Sequence, residues 1–93
     1  MQLQTTPGKI SITEEDVSLG EMKIFVNDGI LTALHTESFP AGEGKGIGKK
    51  LFAGMIEYAE KEGLKLKAHC TFVQAMLKRD PERYKDLIVK SED

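Results

Sequence analysis

Four glycines at alternate positions, Gly42, Gly44, Gly46 and Gly48, separate a strand-like run from a helix-like one. Ahead of them, Leu31-Thr32-Ala33-Leu34-His35 suits a half-buried strand, and from Leu51 to Glu62 apolar residues recur at helical spacing. That order narrows the possible folds. A helix with one apolar stripe buries it against another element, and Leu64-Lys65-Leu66-Lys67-Ala68-His69-Cys70 alternates as a half-buried strand should. Strand, loop, helix and strand make a βαβ unit. Its strands, near residues 31–37 and 64–71, are predicted to be parallel with a right-handed crossover. The loop has a chemical consequence too. Glycines admit close approach of the backbone, and a helix start exposes unpaired N–H groups with partial positive charge. The combination suits phosphate or pyrophosphate, with Lys45, Lys49 and Lys50 nearby.

The residues before this unit read as short strands and turns. Lys9-Ile10-Ser11-Ile12-Thr13 alternates, Met22-Lys23-Ile24-Phe25-Val26 is rich in strand formers, and Asp28-Gly29 predicts a tight hairpin into the run from Ile30 to Thr36. An antiparallel meander over about residues 9–37 follows, with Gln2 to Thr5 as an edge strand ended by Pro7-Gly8. In the helix, Leu51, Phe52, Met55, Ile56 and Ala59 share one face; Gly54 serves close packing and Gly63 is the C-terminal cap. A short helix is expected from Phe72 to Lys78, and another opens at Asp80-Pro81, with Asp80 as N-cap.

The 93 residues allow one domain, 1–93, of α/β (α+β) class: a mixed sheet of antiparallel strands, then the parallel βαβ unit, then short C-terminal helices. The net charge of −2 argues against nucleic acid as a partner. No run of 18 apolar residues exists, so no membrane span is expected. One cysteine cannot form an internal disulfide and Met1 to Thr6 has no export character, so a cytoplasmic location is expected. Register tests exclude two familiar phosphate loops. G-x-G-x-x-G meets Ile47 or Lys49 where glycine is required, and G-x-x-x-x-G-K-[ST] would need glycine at Glu43 and Ser or Thr at Lys50. On spacing alone the segment is either an anion site or a flexible connector.

Glu43-Gly44-Lys45-Gly46-Ile47-Gly48 resembles the pyrophosphate loop, Q/R-x-x-G-x-G/A, of the Gcn5-related N-acetyltransferases. The likeness to a small single-domain subfamily extends over about residues 20–88: His35-Thr36-Glu37 at a strand end, Gly63-Leu64-Lys65 through to Cys70, and Asp80-Pro81-Glu82-Arg83-Tyr84-Lys85-Asp86-Leu87. Glu43 departs from the usual Arg or Gln, and His69 and Thr71 replace the prolines that flank the family's cysteine. The resemblance implies a minimal acetyltransferase fold with acetyl-CoA as acyl donor and no metal. It further implies that Gly44, Lys45, Gly46, Ile47, Gly48 and Lys49 hold the coenzyme, mainly through backbone amides. The pantetheine arm would lie between two splayed parallel strands, bringing His35, Glu37 and Cys70 nearest the thioester.

Each of these three has two readings. Cys70 is either a small buried hydrophobe or a nucleophile or acid. Glu37 is either a solvated strand-end carboxylate or the general base, and His35 either a structural histidine or, across the sheet, the better-placed partner for Cys70. If the strand stays regular, His35 and Glu37 share a face. The expected function is acetyl transfer from acetyl-CoA to an amine, on a small molecule or a protein. The alternative is a coenzyme A or acyl-CoA binding module without efficient catalysis.

Overall fold

A computed structural model describes residues 1–89. Strands β1 (Gln2–Thr6), β2 (Lys9–Glu14), β3 (Val17–Asn27) and β4 (Ile30–Ser38) form the antiparallel meander. Helix α1 (Ile47–Glu62) then crosses to β5 (Lys65–Ala68), which lies parallel to β4, and α2 (Thr71–Lys78) and α3 (Pro81–Tyr84) follow. The sheet order is β1-β2-β3-β4-β5, the mixed α+β arrangement expected from the sequence. Among the described residues no helix is long and apolar enough to cross a membrane.

Local chemistry explains most of the boundaries. Asp28 and Gly29 turn the β3–β4 hairpin with φ of 52° and 75°, the positive pair that a type I′ turn requires. Gly63 closes α1 with φ of 68°, and the N–H of Leu64 returns to the Ala59 carbonyl at 2.8 Å. Gly54 receives the side chain of Leu3, so strand β1 lies against the helix as well as beside β2. Helix α1 begins at Ile47, four residues before the predicted start at Leu51, because Ile47 is buried in the core and pulls the first turn into the glycine segment. Strand β5 is shorter than the alternation suggested: it ends at Ala68, and Cys70 is the N-cap residue of α2 rather than a strand residue. Asp80 does occupy the N-cap position of α3 but makes no side-chain cap bond.

One face of the sheet is buried and the other is not. Ile10, Ile12, Met22, Ile24, Leu31, Ala33 and Leu66 face the apolar stripe of α1, and Val73 and Leu77 of α2 join the same core. The opposite face carries Lys9, Lys23, Phe25 and Lys67, all exposed. The free edge of β5 is partly covered by the chain's return, where the N–H of Leu66 meets the Leu87 carbonyl and the N–H of Val89 meets that of Leu66.

Two β-bulges interrupt the meander. On β3, Leu19 is extra between Ile12↔Gly20 and Thr13↔Ser18; on β4, Leu34 is extra between Ile24↔Ala33 and Lys23↔His35. The second changes which residues face the core. Leu31 and Ala33 point inward, and without the bulge His35 and Glu37 would follow them. With it, Thr36 stands opposite Met22 on the inner face, while His35 and Glu37 share the outer one.

Close packing beneath the loop is set by Gly42, where a Cβ would overlap the Leu19 carbonyl oxygen and stand 2.7 Å from Ile47 Cγ1. The Gly42→Ala variant should lose about 1–3 kcal/mol of stability through overpacking. Gly8→Ala, where a Cβ would meet nothing within 4 Å, should change it little. Urea unfolding of the two variants checks this; equal midpoints would contradict the packing described.

Candidate functional site

The ladder between β4 and β5 stops abruptly. Pairing runs from Ile30↔Lys65 to Ala33↔Ala68 and no further. The Ala33 carbonyl then accepts two N–H groups, from His69 at 2.9 Å and Cys70 at 3.0 Å. Beyond it β4 continues to Ser38 while the other chain turns into α2, so the two strands part at their C-terminal ends. In sheets with parallel strands this is the end at which ligand crevices form.

Both long helices begin at this opening. A Cβ on Gly48, the second residue of α1, would stand 3.0 Å from Cζ of Phe72, the second residue of α2. The N-terminal turns of the two helices therefore meet beside the notch, each bringing N–H groups and the positive end of a dipole.

The loop is shaped for that role by backbone geometry. Gly44 and Gly46 have φ of 78° and 67°, a region that side-chain-bearing residues rarely enter, and Gly46 is the N-cap of α1. The first helical bond runs from the Lys50 N–H to the Gly46 carbonyl at 3.1 Å. Among the described residues, the N–H groups of Gly46, Ile47, Gly48 and Lys49 have no backbone acceptor, and the first turn of α1 carries no acidic residue.

Lys45 departs from its expected place. Its N–H is taken by the Gly42 carbonyl at 3.1 Å, and its ammonium sits 3.0 Å from Glu14 Oε1 on β2. The hydrogen bond from Lys45, and then its charge, hold the Glu14 carboxyl below its ordinary range. Lys49 is exposed and Ile47 is buried, so the latter presents its amide and not its side chain.

At the notch itself, Cys70 Sγ lies 3.3 Å from Thr36 Oγ1. The cysteine is buried. Burial pushes the thiol up, but the Thr36 hydroxyl and the amides of Val73, Phe72 and Thr36 lower it by more, leaving it below the ordinary thiol range. His35 is not its partner: the Leu34 bulge turns His35 and Glu37 to the outer face, where they lie opposite Lys23 and Glu21. Glu21 in turn lies 3.6 Å from Lys9 Nζ. Of the six residues expected to hold the coenzyme, Gly44, Gly46, Ile47, Gly48 and Lys49 stay together at the loop and helix start, with Lys45 drawn aside. Sequence reasoning missed Thr36, Phe72 and the Ala33 carbonyl; Thr36 stood within the His35-Thr36-Glu37 triplet, but nothing in its type signalled a sulfur partner.

Comparison with known proteins bears on the family and the fold. No curated protein matches the sequence. The chain is similar to the NMR solution structure of a GCN5-like candidate N-acetyltransferase from Staphylococcus aureus, with a TM-score of 0.67 and 28% identity over 98% of this chain and 90% of that one. The model of the GCN5-related N-acetyltransferase family matches residues 9–87. The chain belongs to that family.

Proposed function

We propose that the chain binds acetyl-CoA in the notch between β4 and β5 and transfers its acetyl group to an amine. The observation that carries this reading is the parting of the parallel strands after Ala33 at the point where the starts of α1 and α2 meet. The residues present fit the group. Four N–H groups that have no backbone acceptor among the described residues, from Gly46 to Lys49, suit a pyrophosphate, and Gly44 and Gly46 bring the backbone close. Lys49 adds charge at the rim, whereas Lys45 holds the loop to β2 through Glu14. Glu43, the family's departure, is exposed, so the binding rests on amides rather than on that side chain.

When bound, acetyl-CoA supplies an acyl group activated as a thioester. Cys70, at the mouth of the notch, acts there as nucleophile or acid, with a thiol held below its ordinary range. Glu37, on the outer face, takes the proton of the incoming amine directly or through water, with His35 two residues away on the same face. The acceptor is an amine on a small molecule or a protein. The outer face of the sheet, with Lys23, Phe25, His35 and Glu37 all exposed, also favours a second reading, a coenzyme-binding module without efficient catalysis.

Calorimetric titration separates these. Coenzyme A and acetyl-CoA should both bind, and Gly46→Val, which forces a branched residue to φ of 67°, should weaken binding at least about tenfold. Absence of binding to the wild type would overturn both readings. Lys45→Ala should leave the dissociation constant within about threefold, as expected for a lysine already engaged in an exposed ion pair.

Acetyl transfer by Cys70→Ala and Glu37→Gln, screened against small amines and peptide lysines, should fall roughly 100-fold while coenzyme binding persists. Binding without transfer by the wild type would support the module. Transfer unchanged in both variants would remove the two catalytic roles.

A further inference from the structure

Thr36 owes its position to an irregularity. It lies two residues beyond the bulge at Leu34, and the bulge alone brings it to the inner face in place of His35 and Glu37. Its hydroxyl oxygen is 3.3 Å from Cys70 Sγ, and it is the one side chain among the described residues bonded to that sulfur. The cysteine's backbone is fixed independently, by its N–H to the Ala33 carbonyl and by the N–H of Gln74 to its own carbonyl, both at 3.0 Å. Sulfur and hydroxyl are therefore each held by a different element, one by the start of α2 and one by β4.

The surroundings give the pair its significance. On β4 the titratable neighbours His35 and Glu37 face outward; ahead of the cysteine, His69 is exposed. The first turn of α2 has no acidic residue, and α1 presents an apolar stripe to the core. Among the described residues, the influences on the thiol are burial and the hydrogen bonds from Thr36, Val73 and Phe72. In the pair as it stands either atom can donate. A thiolate only accepts, so once the sulfur loses its proton the hydroxyl has to donate.

We infer that Thr36 is the positioning residue of Cys70: its hydroxyl holds the sulfur at the mouth of the notch and donates a hydrogen bond to it whenever it is a thiolate. This rests on the reading of Cys70 as the group at the acyl end of the notch, but its test needs neither coenzyme nor acceptor. Failure here is thus distinguishable from failure of coenzyme binding.

The test is the pH profile of Cys70 alkylation by iodoacetamide, with folding of each variant followed by circular dichroism and urea unfolding. Thr36→Val keeps the shape of the side chain and removes the hydroxyl; Thr36→Ser keeps the hydroxyl and removes the methyl. Under the positioning role, Thr36→Val moves the profile to higher pH and slows alkylation at neutral pH about three- to tenfold, while Thr36→Ser follows the wild type. Thr36→Ala, which also lacks the hydroxyl, should move with Thr36→Val and serves if the latter does not fold. A packing role gives the reverse order, with serine and alanine perturbed and valine not. That order, or a wild-type profile in both hydroxyl-less variants, overturns the proposal.

Discussion

The Ala33 carbonyl is the oxygen on which this small fold turns. A parallel pair continues only while each carbonyl faces the next N–H along the ladder. Here one oxygen takes two successive N–H groups, His69 and Cys70, and the ladder has nowhere to go. The strands part at that point, α2 begins with Cys70 as its N-cap, and β4 runs on for five residues without β5 beside it. The Leu34 bulge sits immediately after this oxygen, so the end of pairing and the change of facing residues occur at one place. That coincidence leaves the bonded pair Thr36 and Cys70 on one side of β4 and His35 and Glu37 on the other.

Much of the architecture was legible in the residues. Asp28-Gly29 named its hairpin, Gly63 named the end of α1, and the change from period two to helical spacing named the βαβ unit. What escaped were features that no residue type marks. Leu34 is as suitable for a regular strand as for a bulge, so its type does not announce the register shift against β3. The β2–β3 turn places Glu15 and Asp16 at φ of 49° and 67°. Glutamate carries no signal for that region, so the extension of β3 back to Val17 was invisible.

The candidate site was legible to a different degree. The glycine pattern marked the segment in which the start of α1 leaves amides without backbone acceptors, but its lysines suggested side-chain charge where Lys45 pairs with Glu14, far off in sequence and close in space. The same pattern concealed the start of α1. Glycines at 46 and 48 weaken any helix prediction, and the helix forms there because Ile47 reaches the core. Tertiary packing overrode local preference, and it did so where the amides lack backbone acceptors.

Ile47 therefore belongs to two structures at once. Its N–H is one of the four free groups at the helix start, while its side chain is wedged against Gly20 and Gly42 beneath the loop. No separate scaffold carries the site; the first turn that would meet an anion is also a cornerstone of the hydrophobic core. A ligand that needs this folded first turn would bind the native state alone, so its occupancy would stabilise the whole domain by mass action. In a chain of 93 residues, the candidate recognition surface would be the inner packing seen from its other end.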